Sequence, residues 1–193
     1  METRRKPRVS GFTLVELLVA VVIILVLFTL LLPARHSGEK QRRVKCLANL
    51  KRLGEAIRLY TEDNLGRCPA DANEASLIGS MRLLNGRLSS AESLFCPSTS
   101  WGRALRTSDL TKLTTNNVSY SYVPNQIWKR GSPNAIIALD WISSTAAGTK
   151  WPSNSNHRTA GGNVLFNDGR VEWKNVLPLA LLDKDGKETV LSP

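Results

Sequence analysis

The chain has 193 residues, 42% of them hydrophobic, and a formal charge of +10 at pH 7; that length suits one domain with a modest core rather than two. The charge is uneven: residues 1–11 carry +3, residues 12–60 carry +5, and residues 61–193 only +2, from fourteen basic and twelve acidic groups. Basicity confined to the N-terminal third argues against a nucleic-acid-binding head, which would need its basic patch on the folded surface.

Residues 1–11 form a short leader with Arg4, Arg5, Lys6 and Arg8. Residues 12–32 are apolar except for Thr13, Glu16 and Thr29. As a helix those 21 residues would extend roughly 31 Å, enough for a bilayer core of ~30 Å. The run exceeds the ~7–15 apolar residues of a secretory signal, and no A-x-A-like cleavage site follows it. A basic cluster ahead of the run holds the N-terminus in the cytoplasm. The expectation is a single-pass membrane protein with an exported head, the run ending at Pro33, which has no N–H to continue a helix. Glu16 stands out, because a charged residue at the centre of a spanning helix costs ~2.5–3.5 kcal/mol. Position alone leaves two readings open: a functional acid with a partner, or an acid close enough to the interface to reach water.

A basic leader, Gly-Phe-Thr-Leu-x-Glu-Leu and a long apolar run, in that order, resemble the type IV prepilin signal of type IV pilins and type II secretion pseudopilins. The resemblance implies that a prepilin peptidase cuts between Gly11 and Phe12, that Phe12 is then N-methylated, and that Glu16 matches the family glutamate. The partners it implies are the peptidase/methylase, other pilin-like subunits, the inner-membrane assembly machinery and membrane lipid, with nucleic acid not expected. After cleavage the Glu16 carboxylate of one subunit would pair with the Phe12 amine of its neighbour. Leaving either charge unpaired in a low dielectric is costly. The pair would therefore set assembly register, as a buried polar residue does in a coiled coil.

Beyond the run, Val44, Leu47, Leu50, Leu53, Ile57 and Tyr60 make a helical stripe with Arg42, Lys45, Arg52 and Arg58 away from it. This stripe is predicted to pack on a later sheet, and Gly66 and Pro69 to end the helix. Residues 70–117 read as loop and short helix. Strands are predicted at 118–123 ("VSYSYV"), at 135–142 ("AIIALDWI") and as a hairpin over 163–173 with Asn167, Asp168 and Gly169 able to take positive φ. Between them, residues 143–162 lack any period, and a loop beyond ~12–15 residues is usually functional or disordered. The expected fold is α+β: a long N-terminal helix, its first half transmembrane, packed on a small C-terminal antiparallel sheet. Its expected divisions are the leader 1–11, a transmembrane and assembly helix 12–33, an exposed amphipathic half-helix 34–64 and an exported head 65–193. "CLANLKRLGEAIRLY" (46–60), "FCPS", the Tyr-rich strand and "NHRTAGGNVLFNDGRVEW" also resemble prepilin-type proteins in which a His precedes Asp-Gly by ten residues. Here His157 stands eleven residues before Asp168.

Cys46, Cys68 and Cys96 have no CxxC or other metal spacing. An exported head allows one disulfide. Of three pairings, Cys68–Cys96 is favoured, because both precede a proline in loop-like sequence while Cys46 looks like a helix-face residue; the alternative is three unpaired small apolar residues. His157, Asp168 and a serine lack any GxSxG-like context, and "TAGGN" precedes a strand rather than a helix, so no enzyme is expected. No cofactor is expected either, calcium being the one candidate. Asp140, Asp168, Asn154 and Asn156 supply hard oxygen ligands, and some major pseudopilins carry calcium in a C-terminal loop. The plainer reading is that Asp168 only makes the turn, since the spacing matches no EF-hand. Two rival functions are a membrane-anchored extracytoplasmic module that binds a ligand in loop 144–162, and a minor pilin that contacts DNA through Arg42 and Arg43. The basic face is equally suited to lipid headgroups or simply to solvent, and it lacks the aromatic residues of single-strand binders.

Overall fold

The computed structural model describes residues 11–31, 38–72, 76–124, 126–128, 133–143, 150–178 and 190–193. They belong to two compact units, Met1–Ser37 and Gly38–Pro193. The leader 1–10, Pro33, and residues 144–149 of the long loop lie outside the described residues.

In the first unit, helix α1 spans Leu14–Leu31. Val15, Leu18, Val22, Ile24, Leu25 and Phe28 are all more than half exposed, so the helix is apolar around its whole circumference, as a helix meant for an apolar environment is. Among the described residues no helix is long and apolar enough to cross a membrane. Length is the shortfall: α1 has 18 residues, about 27 Å at ~1.5 Å each, against a core of ~30 Å. The expected run of 21 residues is trimmed because Phe12 and Thr13 precede the first helical turn and Leu32 is not among the described residues.

The second unit is α+β. Helix α2 (Gly38–Asp63) ends where Leu65 and Gly66 take positive φ and the Gly66 N–H donates to the Thr61 carbonyl at 2.8 Å, a left-handed helix stop that glycine makes at little cost. Helix α3 (Leu77–Arg82) and short 3-10 turns at Ala91–Leu94, Leu110–Lys112 and Thr115–Asn117 fill the predicted loop region. The sheet is an antiparallel meander of four strands in chain order: β1 (Tyr120–Tyr122), β2 (Ile136–Asp140), β3 (Gly162–Phe166) and β4 (Val171–Lys174). The β3–β4 hairpin turns through Asn167–Asp168–Gly169, and of these only Gly169 takes positive φ.

Both faces of the central strands are covered, which is why "AIIALDWI" reads as a continuous apolar run. Ile137, Ala138 and Leu165 share a core with Cys46, Leu50, Leu53, Ala56 and Ile57 of α2. Ile136, Leu139, Val164 and Phe166 face the other way, against Trp151 and Leu177. The buried stripe of α2 is displaced from the predicted one: Val44 is 65% exposed and Leu47 half-buried, whereas Cys46, Asn49, Gly54 and Thr61 are buried. Close approach to the sheet sets this face. A Cβ on Gly54 would stand 3.0 Å from a Leu165 methyl group.

Candidate functional site

The N-terminal segment builds its own local structure. The Thr13 N–H and hydroxyl donate to Glu16 Oε2 at 3.0 and 2.9 Å, and the Glu16 N–H donates to Thr13 Oγ1 at 3.2 Å. This is a reciprocal capping box that satisfies donors at the start of α1. Glu16 thus has a partner within its own chain, and Phe12 lies exposed immediately before the box.

In the second unit, polar groups converge on His157. Its side chain is fully buried, with Nδ1 2.7 Å from Glu39 Oε1 in the first turn of α2 and Nε2 3.4 Å from Asp140 Oδ2 at the end of β2. Nε2 also lies 3.6 Å from Cys96 Sγ. Trp173 of β4 packs edge-on against the imidazole, with centroids 5.3 Å apart, and the Arg43 guanidinium covers the same indole at 4.3 Å. Asp140 is held by the β2–β3 pairing. Its Oδ2 accepts from the Asn163 N–H at 2.7 Å and Nδ2 at 3.0 Å, and its Oδ1 from Asn156 Nδ2 at 2.9 Å. Asn156 also donates to the Ser119 carbonyl at 2.7 Å and accepts from the Thr99 hydroxyl at 2.8 Å.

The electrostatics follow from depth. Burial pushes the Asp140 carboxyl above its ordinary range, although His157 and the two asparagines pull the other way. At Glu39 burial also raises the pKa, but the hydrogen bond and charge of His157, with Ser98 and Arg43, outweigh it and hold the group below the usual carboxylate range. A cavity of about 450 Å³ adjoins the cluster, lined in part by Glu39, Arg42, Arg43, Ser98, His157 and Arg158. The nitrogens of the His157 ring face carboxylates and a sulfur rather than a serine hydroxyl.

Two sequence expectations are corrected here. The disulfide joins Cys46 to Cys96, with Cα atoms 5.1 Å apart, and not Cys68 to Cys96. Cys46 is indeed on a helix face, and that buried face is the one the Cys96 loop packs against. Cys68 is a free, buried thiol, its pKa pushed by burial to about 12. The calcium set is not assembled either. Asp140 and Asn156 meet, but Asn154 is exposed and accepts from the Ser143 hydroxyl, and Asp168 pairs with Arg170 in the β3–β4 turn. That turn is at the far end of β3 from Asn163, so strand geometry keeps Asp168 away from Asp140. Sequence reasoning missed Glu39, Asn163 and Trp173. A polar Asn at the start of an apolar strand was the only signal available.

A family model for the prokaryotic N-terminal methylation motif matches residues 6–32, the stretch that holds Gly11, Phe12 and Glu16. The chain therefore carries a prepilin-type N-terminus. No curated protein and no solved structure matches it.

Proposed function

We propose that the chain is a structural subunit, not an enzyme, cut between Gly11 and Phe12, N-methylated at Phe12 and packed through α1 into a type II secretion pseudopilus or type IV pilus-like filament. The observation that carries this reading is the match to the methylation motif over a helix whose apolar side chains are exposed on every side. Before assembly the apolar run of residues 12–32 would anchor the chain in the inner membrane with its head outside. Assembly would exchange lipid for neighbouring helices and pair Glu16 with a neighbour's Phe12 amine.

The capping box provides a discriminating test. Glutamine serves at the third helical position as glutamate does, so Glu16→Gln keeps the helix start and removes only the charge. The expected result is normal processing, read as an N-methylated Phe12 terminus by mass spectrometry, together with loss of subunit-to-subunit crosslinking. A Glu16→Gln chain that crosslinks like the native one would rule out charge pairing as the driver. An unprocessed native terminus in a host with a prepilin peptidase would overturn the subunit reading itself.

A further inference from the structure

We propose that Cys46, Cys96, His157 and Asp140 form a zinc site in the reduced chain, and that metal and disulfide are alternative uses of the same two sulfurs. One ligand atom from each of these four buried residues lies within 4.8 Å of the others. The distances from His157 Nε2, 3.6 Å to Cys96 Sγ and 3.4 Å to Asp140 Oδ2, match the edges of a zinc tetrahedron. Bond lengths of ~2.3 Å to sulfur and ~2.0 Å to nitrogen or oxygen give edges of about 3.5 and 3.3 Å. The mix of soft sulfur and imidazole selects zinc over calcium or magnesium.

Hydrogen bonding supports the same occupant. Glu39 at Nδ1 is an acceptor, so Nδ1 carries a hydrogen and Nε2 is the nitrogen that faces inward, toward Asp140 and the Cys96 sulfur. A carboxylate behind the far nitrogen is the usual arrangement for a metal-bound histidine. Nε2 then faces a carboxylate oxygen at 3.4 Å and a cysteine sulfur at 3.6 Å, groups that accept hydrogen bonds once deprotonated. Converging acceptors of this kind need a cation among them, and the competing occupant is a proton on Nε2. Asp140 Oδ2 becomes available to zinc by releasing the longer of its two Asn163 contacts, at 3.0 Å. Around the metal the two sulfurs would stand about 3.8 Å apart, which side-chain rotation supplies while the Cα atoms stay near their present 5.1 Å.

The chemistry balances in both directions. Zinc binding releases the two thiol protons to water. On oxidation the two zinc-bound thiolates pass two electrons to a disulfide oxidant, which takes up two protons from water and leaves as two thiols; the S–S bond forms and Zn²⁺ departs.

The test uses the full chain in detergent, reduced with a phosphine and then given Zn²⁺, with Co²⁺ as the spectroscopic probe. The reduced chain should retain about one zinc after gel filtration, and the oxidised chain essentially none, as a four-ligand site requires. Oxidised glutathione should expel the metal. Cobalt should show thiolate charge transfer and the d–d bands of a tetrahedral site. Cys68→Ala should leave all this intact. Glu39→Gln, which removes only the carboxylate behind the ring, should weaken zinc about 10–100-fold, and His157→Gln should alter the cobalt spectrum. A reduced chain of native circular dichroism that takes up no zinc would overturn the site and leave the proton on Nε2 as the occupant. An unchanged cobalt spectrum in Cys46→Ser would overturn it as well.

Discussion

Removing the Cys46–Cys96 bond perturbs the second unit at a single well-defined point. The bond closes a loop of 50 residues, and the chain-entropy relation assigns such a loop about 4 kcal/mol at 25 °C. For a domain of this size ~1 kcal/mol corresponds to ~2–4 °C in Tm. The Cys46→Ala/Cys96→Ala double variant should therefore melt about 10 °C below the oxidised parent, and the metal-free parent should fall by a similar amount on reduction. Differential scanning calorimetry on oxidised and reduced samples measures both. Magnitude alone does not identify the pairing, because the 28-residue separation of Cys68 and Cys96 would give about 3.6 kcal/mol by the same relation. Peptide analysis of the unreduced digest separates the two. A Tm loss under about 3 °C, which is below ~1 kcal/mol, or a disulfide-linked peptide containing Cys68, would refute the reasoning.

Burial keeps the Cys68 thiol protonated up to about 12. Iodoacetamide at pH 8 should therefore label it only on unfolding. Its folded pKa lies above the ordinary 9.0, so its contribution to stability is complete below pH 9 and lost as pH rises toward 12; Cys68→Ala should flatten that alkaline limb in urea titrations. Gly162→Ala places a methyl group 2.3 Å from the Trp151 ring and should cost at least about 1–3 kcal/mol as overpacking, read by denaturant titration with a shift in tryptophan emission. Asn156→Ala withdraws the donor from the buried Ser119 carbonyl and from Asp140, each loss costing about 1–3 kcal/mol. Asn154→Ala, at an exposed position, should stay within about 0.5 kcal/mol.

Helix α1 and the three strand signals were legible because each rests on a local period or an unbroken apolar run. The stripe on α2 was legible only in outline. Counting apolar residues selected Val44 and Leu47, but contact with the sheet is decided by small residues, Gly54 against Leu165 and Ala56 beside it, which carry no hydrophobic signal of their own. The same blindness hid Cys46: once α2 is rotated to seat Gly54, Cys46 faces inward and meets Cys96. The polar cluster was illegible for a different reason. Strand register, pairing Leu139 with Val164 and Gly162 with Lys174, brings Asp140, Asn163 and Trp173 to one end of the sheet, and register is not readable from any one strand. Replacing such a cluster with apolar residues of similar volume often costs little stability, so the worth of this one lies elsewhere. Glu39, Cys96, Asp140, Asn156 and Asn163 each come from a different segment and satisfy one another only in this arrangement. The cluster ties the first turn of α2 and the Cys96 loop to the Asp140–Asn163 end of the sheet, where the disulfide also joins them.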